Sequence, residues 1–306
     1  MATSAPTTPA PDERSAWSRF WHRPGSALNL GAARALLAAA ALWVVLSRQD
    51  LPSILAFPPE LWTAVTPERR LRFLMLFGLA TERALYALLH LTLLGALLGV
   101  MPRASCFLSG LLLYHFAPFE TIIRSANPYL RGLTIPTLGL LIASFARCGD
   151  ALALQKSRPR GAEPVSSAWE YGWPLRLIQV LFCQIYLFAA WSKFFASGLA
   201  WPEAGNIRGH LLLLNQALVE SPETSWGYAL AAHPVLCAAL AWAGLLLELS
   251  FPLVLVSAAA RWVLLPAALT FHLANSLLFR IFFQNVPLLL LFVDWDALRR
   301  SLRRTP

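Results

Sequence analysis

Apolar residues come in long runs along this chain, separated by short polar breaks that hold most of the arginines and prolines. Runs near twenty residues have the length of an α-helix that crosses a bilayer. They predict spans at about 28–47, 81–101, 104–119, 131–147, 174–197, 232–257, 261–281 and 285–298. The break between the second and third is too short to cross anything, so those two form an antiparallel hairpin. The last run is short and starts at Asn285-Val286-Pro287, which leaves it tilted or only partly inserted. The reading is all-α: a polytopic helical membrane bundle of about eight transmembrane helices, with seven as the alternative and no soluble domain.

The polar stretches give the organisation. Residues 1–27 read as a disordered and then interfacial cytoplasmic segment, rich in Pro, Ser and Thr before Trp17, Arg19, Trp21 and Arg23. The first apolar run is followed by no small-residue cleavage site, so it is a retained span within a bundle over 28–298. Pro52, Pro58, Pro59 and Pro67 exclude a continuous helix over 52–72, leaving a loop with a short interfacial helix. The polar stretch 148–170 is the linker between two halves, 199–230 contains an amphipathic helix, and 299–306 is a basic cytoplasmic tail.

Composition fixes the class. With 57% hydrophobic against 13% charged residues, and a mean hydropathy of +0.56, the chain is an integral membrane protein rather than a soluble fold. The net charge of +9 does not indicate nucleic acid, because the arginines lie in loops between apolar runs. Counting Lys and Arg places both termini in the cytoplasm if there are eight spans, with Arg34, Arg103 and Arg147 among the cytoplasmic charges. Cys106, Cys148, Cys183 and Cys237 form no CxxC and the histidines no HExxH, so no metal site is expected.

Candidate chemistry lies in the second half. There are only two lysines, and Lys193 sits in the apolar run 179–201. Lysine can lose its proton when desolvated and arginine cannot. Gln179, Tyr186 and Lys193, seven apart, share a helical stripe that must face protein. Two readings of Lys193 follow: a general base buried beside Tyr186, or an anchor whose long stem lifts the ammonium to the headgroups. Glu248 interrupts Leu245-Leu246-Leu247, and a mid-bilayer carboxylate costs about 2.5–3.5 kcal/mol unless protonated or paired, so it should face the bundle interior. His272, Asn275 and Ser276 stand at i, i+3 and i+4, forming either a pocket wall or a hydrogen-bonded seam between helices. His90 and His115, with no polar companion at helical spacing, read as structural histidines.

Three segments carry a family resemblance. Phe271–Phe282 (FHLANSLLFRIF) is close to the pattern FHxxNSxLFxI, residues 186–201 (YLFAAWSKFFASGLAW) to a Tyr-x-x-Ala-small-x-Lys-Lys segment followed by Trp, and 126–133 (ANPYLRGL) to an Asn-His-Ser-Tyr-Leu segment. On these the chain resembles the horizontally transferred transmembrane (HTTM) family, which includes the membrane part of vitamin K-dependent gamma-glutamyl carboxylase. The resemblance implies that Lys193 deprotonates a reduced, vitamin K-like quinone, with His272 as the second carried-over catalytic position. Gln179, Tyr186, Glu248, Asn275, Ser276 and Asn127 are the further candidate positions around a quinone or lipidic small molecule. Ser192 stands where the family has its first lysine, Asn127 where it has histidine, and the sequence stops at Pro306 without a large lumenal domain, so carboxylation of a peptide is not expected. An intramembrane enzyme, a transporter or binding protein, and an assembly protein pinned by polar side chains remain the three functional classes.

Overall fold

A computed structural model describes residues 15–47, 77–123, 132–155, 167–216 and 225–304. Ser15 caps α1 (Ala16–His22), its hydroxyl accepting from the Ser18 N–H at 3.2 Å. Next come β1 (Gly25–Ser26) and α2 (Ala27–Leu46), then the pair α3 (Leu79–Leu98) and α4 (Pro102–Ile123), and the short α5 (Thr134–Ser144). The second half holds β2 (Ser167–Ala168), α6 (Trp169–Ser197), α7 (Ala204–Asn215), α8 (Trp226–Ala231), α9 (Pro234–Ser250), α10 (Ala258–Leu278) and α11 (Trp295–Arg304). The two strands pair antiparallel, Gly25 with Ala168 and Ser26 with Ser167, and bring the starts of α2 and α6 together. A side chain on Gly25 would run into the backbone of Gly172, so this junction depends on two glycines. The Arg176 guanidinium adds a hydrogen bond to the Trp21 carbonyl at 3.1 Å, holding α1 on α6.

The all-α expectation holds, and the two-residue strands are the only extended pairing among the described residues. Three described helices are long and apolar enough to cross a membrane: α2, α6 with the 3-10 turn that follows it, and α9 with its own. α3 and α10 have the length of a span but carry Glu82 and Arg83 in one case, and Arg261, His272 and Asn275 in the other. The predicted fourth span is an 11-residue helix, α5, about 16 Å long and too short to cross alone. The eighth is not a continuous helix. Pro287 starts a buried 3-10 segment, Val286–Phe292, which ends in extended Val293 before α11 begins. Most of the basic tail belongs to α11 instead of trailing from the bundle. The proline-rich loop over 52–72 and residues 156–166 of the polar linker lie outside the described residues.

α2 is the hub. Leu30, Leu37, Ala38 and Ala41 are fully buried in it, and it packs against α3, α5, α6 and the 286–292 segment. Lipid tails are as apolar as leucine, so helices in a bilayer associate through close contact of small residues. A side chain on Gly139 of α5 would strike Leu37 at 2.8 Å, and one on Gly110 of α4 would strike Leu141 of α5 at 2.5 Å.

Polar side chains complete the packing. Arg34, counted above as a cytoplasmic charge, lies about 10 Å into α2 and is wholly buried. Its guanidinium donates to the carbonyls of Ala96 and Leu97 at the end of α3 and to those of Cys148 and Leu152 after α5. A cation also suits the negative end of α3. In the α3–α4 hairpin, Nε2 of His115 lies 2.8 Å from the buried carboxylate of Glu82, the companion that helical spacing had not supplied. Arg34→Met leaves buried carbonyls without donors, each worth about 1–3 kcal/mol. It should lower the melting temperature in detergent sharply, with Arg34→Lys intermediate; equal melting of Met and wild type would show these bonds to be dispensable.

Candidate functional site

The site grows from the way α6 ends. Gly198 adopts φ +58°, a conformation that L side chains rarely reach, and it stops the helix. The chain folds back through a 3-10 turn, Gly198–Ala200, and sets the Trp201 ring 4.8 Å from Nζ of Lys193. At that distance an ammonium is attracted to the indole face. The Lys193 ammonium is ion-paired with the Glu248 carboxylate on α9. Glu248 is 5% exposed and lies in the last turns of α9, where the helix dipole already disfavours negative charge, so a cation is the partner the position calls for.

The second pair lies two turns earlier on α6. The Tyr186 hydroxyl and His272 Nε2 on α10 are 2.7 Å apart, and Tyr186 stacks on Phe251 at 3.9 Å between ring centroids. Phe251 opens the 3-10 turn Phe251–Leu255, three residues beyond Glu248, so the α9 face that carries the carboxylate also carries the stacking ring. Pro252 cannot continue the α-helical hydrogen bonding, which accounts for the change of helix type here. Close approach of α9 and α10 is allowed by Gly244, whose absent Cβ would lie 3.1 Å from the Phe271 ring.

Sequence pairing and spatial pairing differ. Lys193 was read beside Tyr186 because both lie on one stripe of α6. Across helices, Lys193 meets Glu248 and Tyr186 meets His272. Gln179, on the same stripe, donates to the Leu291 carbonyl at 2.8 Å and ties the 3-10 segment to α6. Asn275 donates to the Phe271 carbonyl at 2.8 Å and Ser276 bonds the carbonyls of His272 and Ile281, so both side chains act on their own helix end. Asn127 lies outside the described residues. Phe251 escaped the sequence reading, where its i, i+3 spacing from Glu248 was the available signal, and Trp201 entered it only as the Trp that closes the 186–201 segment.

Two buried polar atoms at this locus have no hydrogen-bond partner: Glu248 Oε2 and His272 Nδ1. In the tautomer that carries its proton on Nδ1, His272 accepts from Tyr186 at Nε2 and keeps an N–H donor unengaged. Orphaned groups of this kind are costly in a protein interior, about 1–3 kcal/mol each, and Trp21 Nε1, Glu82 Oε1, Ser109 Oγ and Asn285 Oδ1 share that condition elsewhere among the described residues. The surroundings are aromatic, with Phe283 against His272 at 4.8 Å and Phe182, Phe251 and Phe292 packed together beneath Tyr186. The arrangement can move a proton between Nζ and a carboxylate and offer a donor and an acceptor to an apolar molecule with polar ends.

A family model described as the HTTM domain matches residues 22–295. No curated protein and no solved structure matches. Taken with the long apolar helices, the match makes this an integral membrane protein.

The buried pair yields a stability test. Removing one partner strands the other charge, whereas replacing both leaves an apolar contact. Lys193→Met and Glu248→Leu should each destabilise by about 3–5 kcal/mol, while the two combined should recover most of the loss. Melting temperatures of the single and double variants check this, and additive losses would show that the two side chains do not interact.

Proposed function

The chain belongs to the HTTM domain family, and from that premise we propose that it is an intramembrane enzyme in which the Lys193–Glu248 pair takes a proton from a quinol-like or lipidic substrate. What supports the reading is the pairing of Lys193 with Glu248 beside two unpartnered polar atoms in a lipid-facing protein. An ammonium cannot accept a proton, so a lysine base must first give one up. The Glu248 carboxylate is the acceptor in contact with it. Low-dielectric surroundings weaken the preference for the charged pair over the neutral amine and acid, because burial penalises both charges. The proton moves from Nζ to the carboxylate, and the neutral amine becomes the base. Trp201 covers the ammonium form and helps hold Nζ in place between turnovers.

The family resemblance implies a reduced quinone, and the residues fit one. An apolar ring with a hydroxyl at each end would find an acceptor at Glu248 Oε2 and a donor at His272 Nδ1 among aromatic side chains. When bound, a quinol supplies an acidic O–H and the reducing electrons. His272, held by Tyr186, orients the polar end, and Phe251 and Phe283 exclude water.

A second reading, a bundle whose polar residues only pin helices, draws support from Gln179, Asn275 and Ser276, all of which bond to backbone carbonyls. The two readings part on conservative substitutions. Lys193→Arg keeps charge and reach but removes the base, since guanidinium stays protonated. It should give folded, membrane-inserted protein whose oxygen-dependent oxidation of a reduced naphthoquinone falls on the order of a hundredfold or more. Full turnover in that variant excludes the base role. His272→Phe should abolish retention of quinone through gentle detergent extraction without loss of folded protein; loss of folded protein instead favours the seam.

A further inference from the structure

A cavity lies away from this site, between α2 and α11. It is a cleft of about 670 Å³, within the range of pockets that enclose small ligands, roughly 300–1,000 Å³. Its floor is the face of α2 that carries Ala32, Ala35 and Ala39, and its wall is the apolar side of α11. Trp295, Leu298, Arg299, Leu302 and Arg303 recur at i, i+3, i+4, i+7 and i+8, so one face of α11 lines the cleft with both leucine and arginine. Leu298 is 44% exposed and Leu302 69%, which leaves this apolar wall largely uncovered.

The wall is fixed in place. Asn29 of α2 donates to the Asp294 carboxylate at 3.0 Å and accepts from the Asp296 N–H at 3.1 Å, while Asp294 caps α11 through the Ala297 N–H at 3.0 Å. The Trp295 indole donates to the Leu290 carbonyl at 3.2 Å. Arg300 is engaged by Asp296 at 2.5 Å, one turn back. Arg299 and Arg303, the two arginines that border the cleft, have no ion-pair partner among the described residues.

We propose that this cleft binds one anionic glycerophospholipid, an acyl chain lying along the alanine face of α2 and the phosphate held by Arg299 and Arg303. The two halves of the site have the two chemistries of that ligand. Neither half alone suffices: an apolar groove in a membrane protein is filled by any lipid tail, and exposed arginines attract any anionic surface. Their juxtaposition on a helix anchored to α2 selects a lipid whose headgroup carries net negative charge. Guanidinium suits this task, because its fixed fork of N–H donors matches phosphate oxygens.

The test uses the full chain purified in detergent and exposed to micelles doped with phosphatidylglycerol or phosphatidylcholine, with bound lipid counted by native mass spectrometry. Retention of one phosphatidylglycerol, preferred over phosphatidylcholine on the order of tenfold, is expected from two arginines at headgroup depth. Arg299→Gln with Arg303→Gln should bring phosphatidylglycerol down to the phosphatidylcholine level. Ala35→Trp, which fills the cleft and leaves charge unchanged, should lower phosphatidylglycerol retention as much; Leu302→Gln, at an exposed position, serves the same purpose if the tryptophan variant does not fold. Equal retention of the two lipids by wild-type protein overturns the proposal. So does full retention in Ala35→Trp or Leu302→Gln, which would reduce the site to a diffuse basic surface, and so does displacement of the lipid by millimolar glycerol phosphate, which would mean that the acyl chain contributes nothing.

Discussion

Inside a bilayer there is no water to satisfy a polar group, and every buried donor, acceptor or charge in this chain must find its partner within the protein. Helices meet this demand for the backbone. For side chains, it dictates which helices touch. Glu82 and His115 join α3 to α4, Lys193 and Glu248 join α6 to α9, Tyr186 and His272 join α6 to α10, and Gln179 fastens the 286–292 segment to α6. Glycine contacts set how closely helices approach, and the polar pairs set which faces meet.

The candidate site follows from the same constraint applied incompletely. All four groups in the two pairs would be adequately engaged if each needed one partner. A carboxylate has two oxygens and an imidazole two nitrogens, so Glu248 and His272 each retain an unengaged atom. Glu82 Oε1 in the α3–α4 pair is left over in the same way, and what sets the α6, α9 and α10 locus apart is that two adjoining pairs each leave one such atom.

Much of the fold could be read from the sequence because the bilayer imposes a length. The long apolar runs became helices close to where periodicity placed them, including α2, α6 and α10. Two of the failures came where proline acted: Pro287 turned the last run into a 3-10 segment, and Pro252 changed the helix type beyond Ser250. For the site, Lys193, Tyr186, Glu248 and His272 were each recognisable as polar groups in apolar surroundings. Their pairing was not, since periodicity relates residues on one helix while Lys193 and Glu248 are separated by 55 positions and Tyr186 and His272 by 86. Arg34 was misplaced for a related reason. Counting charges by loop assigns an arginine near a span's start to the interface, although seven residues of helix already separate it from Ala27.

Arg34 also bears on how the protein is made. Its acceptors at Ala96, Cys148 and Leu152 follow it by 62, 114 and 118 residues. During synthesis the first long apolar helix therefore emerges with a charge whose partners do not yet exist. Until residue 152 has been added, the guanidinium must remain near water, in the insertion machinery or at the headgroups, and α2 can reach its final depth only afterwards. The central helix of the bundle is thus made well before the segments that satisfy its arginine.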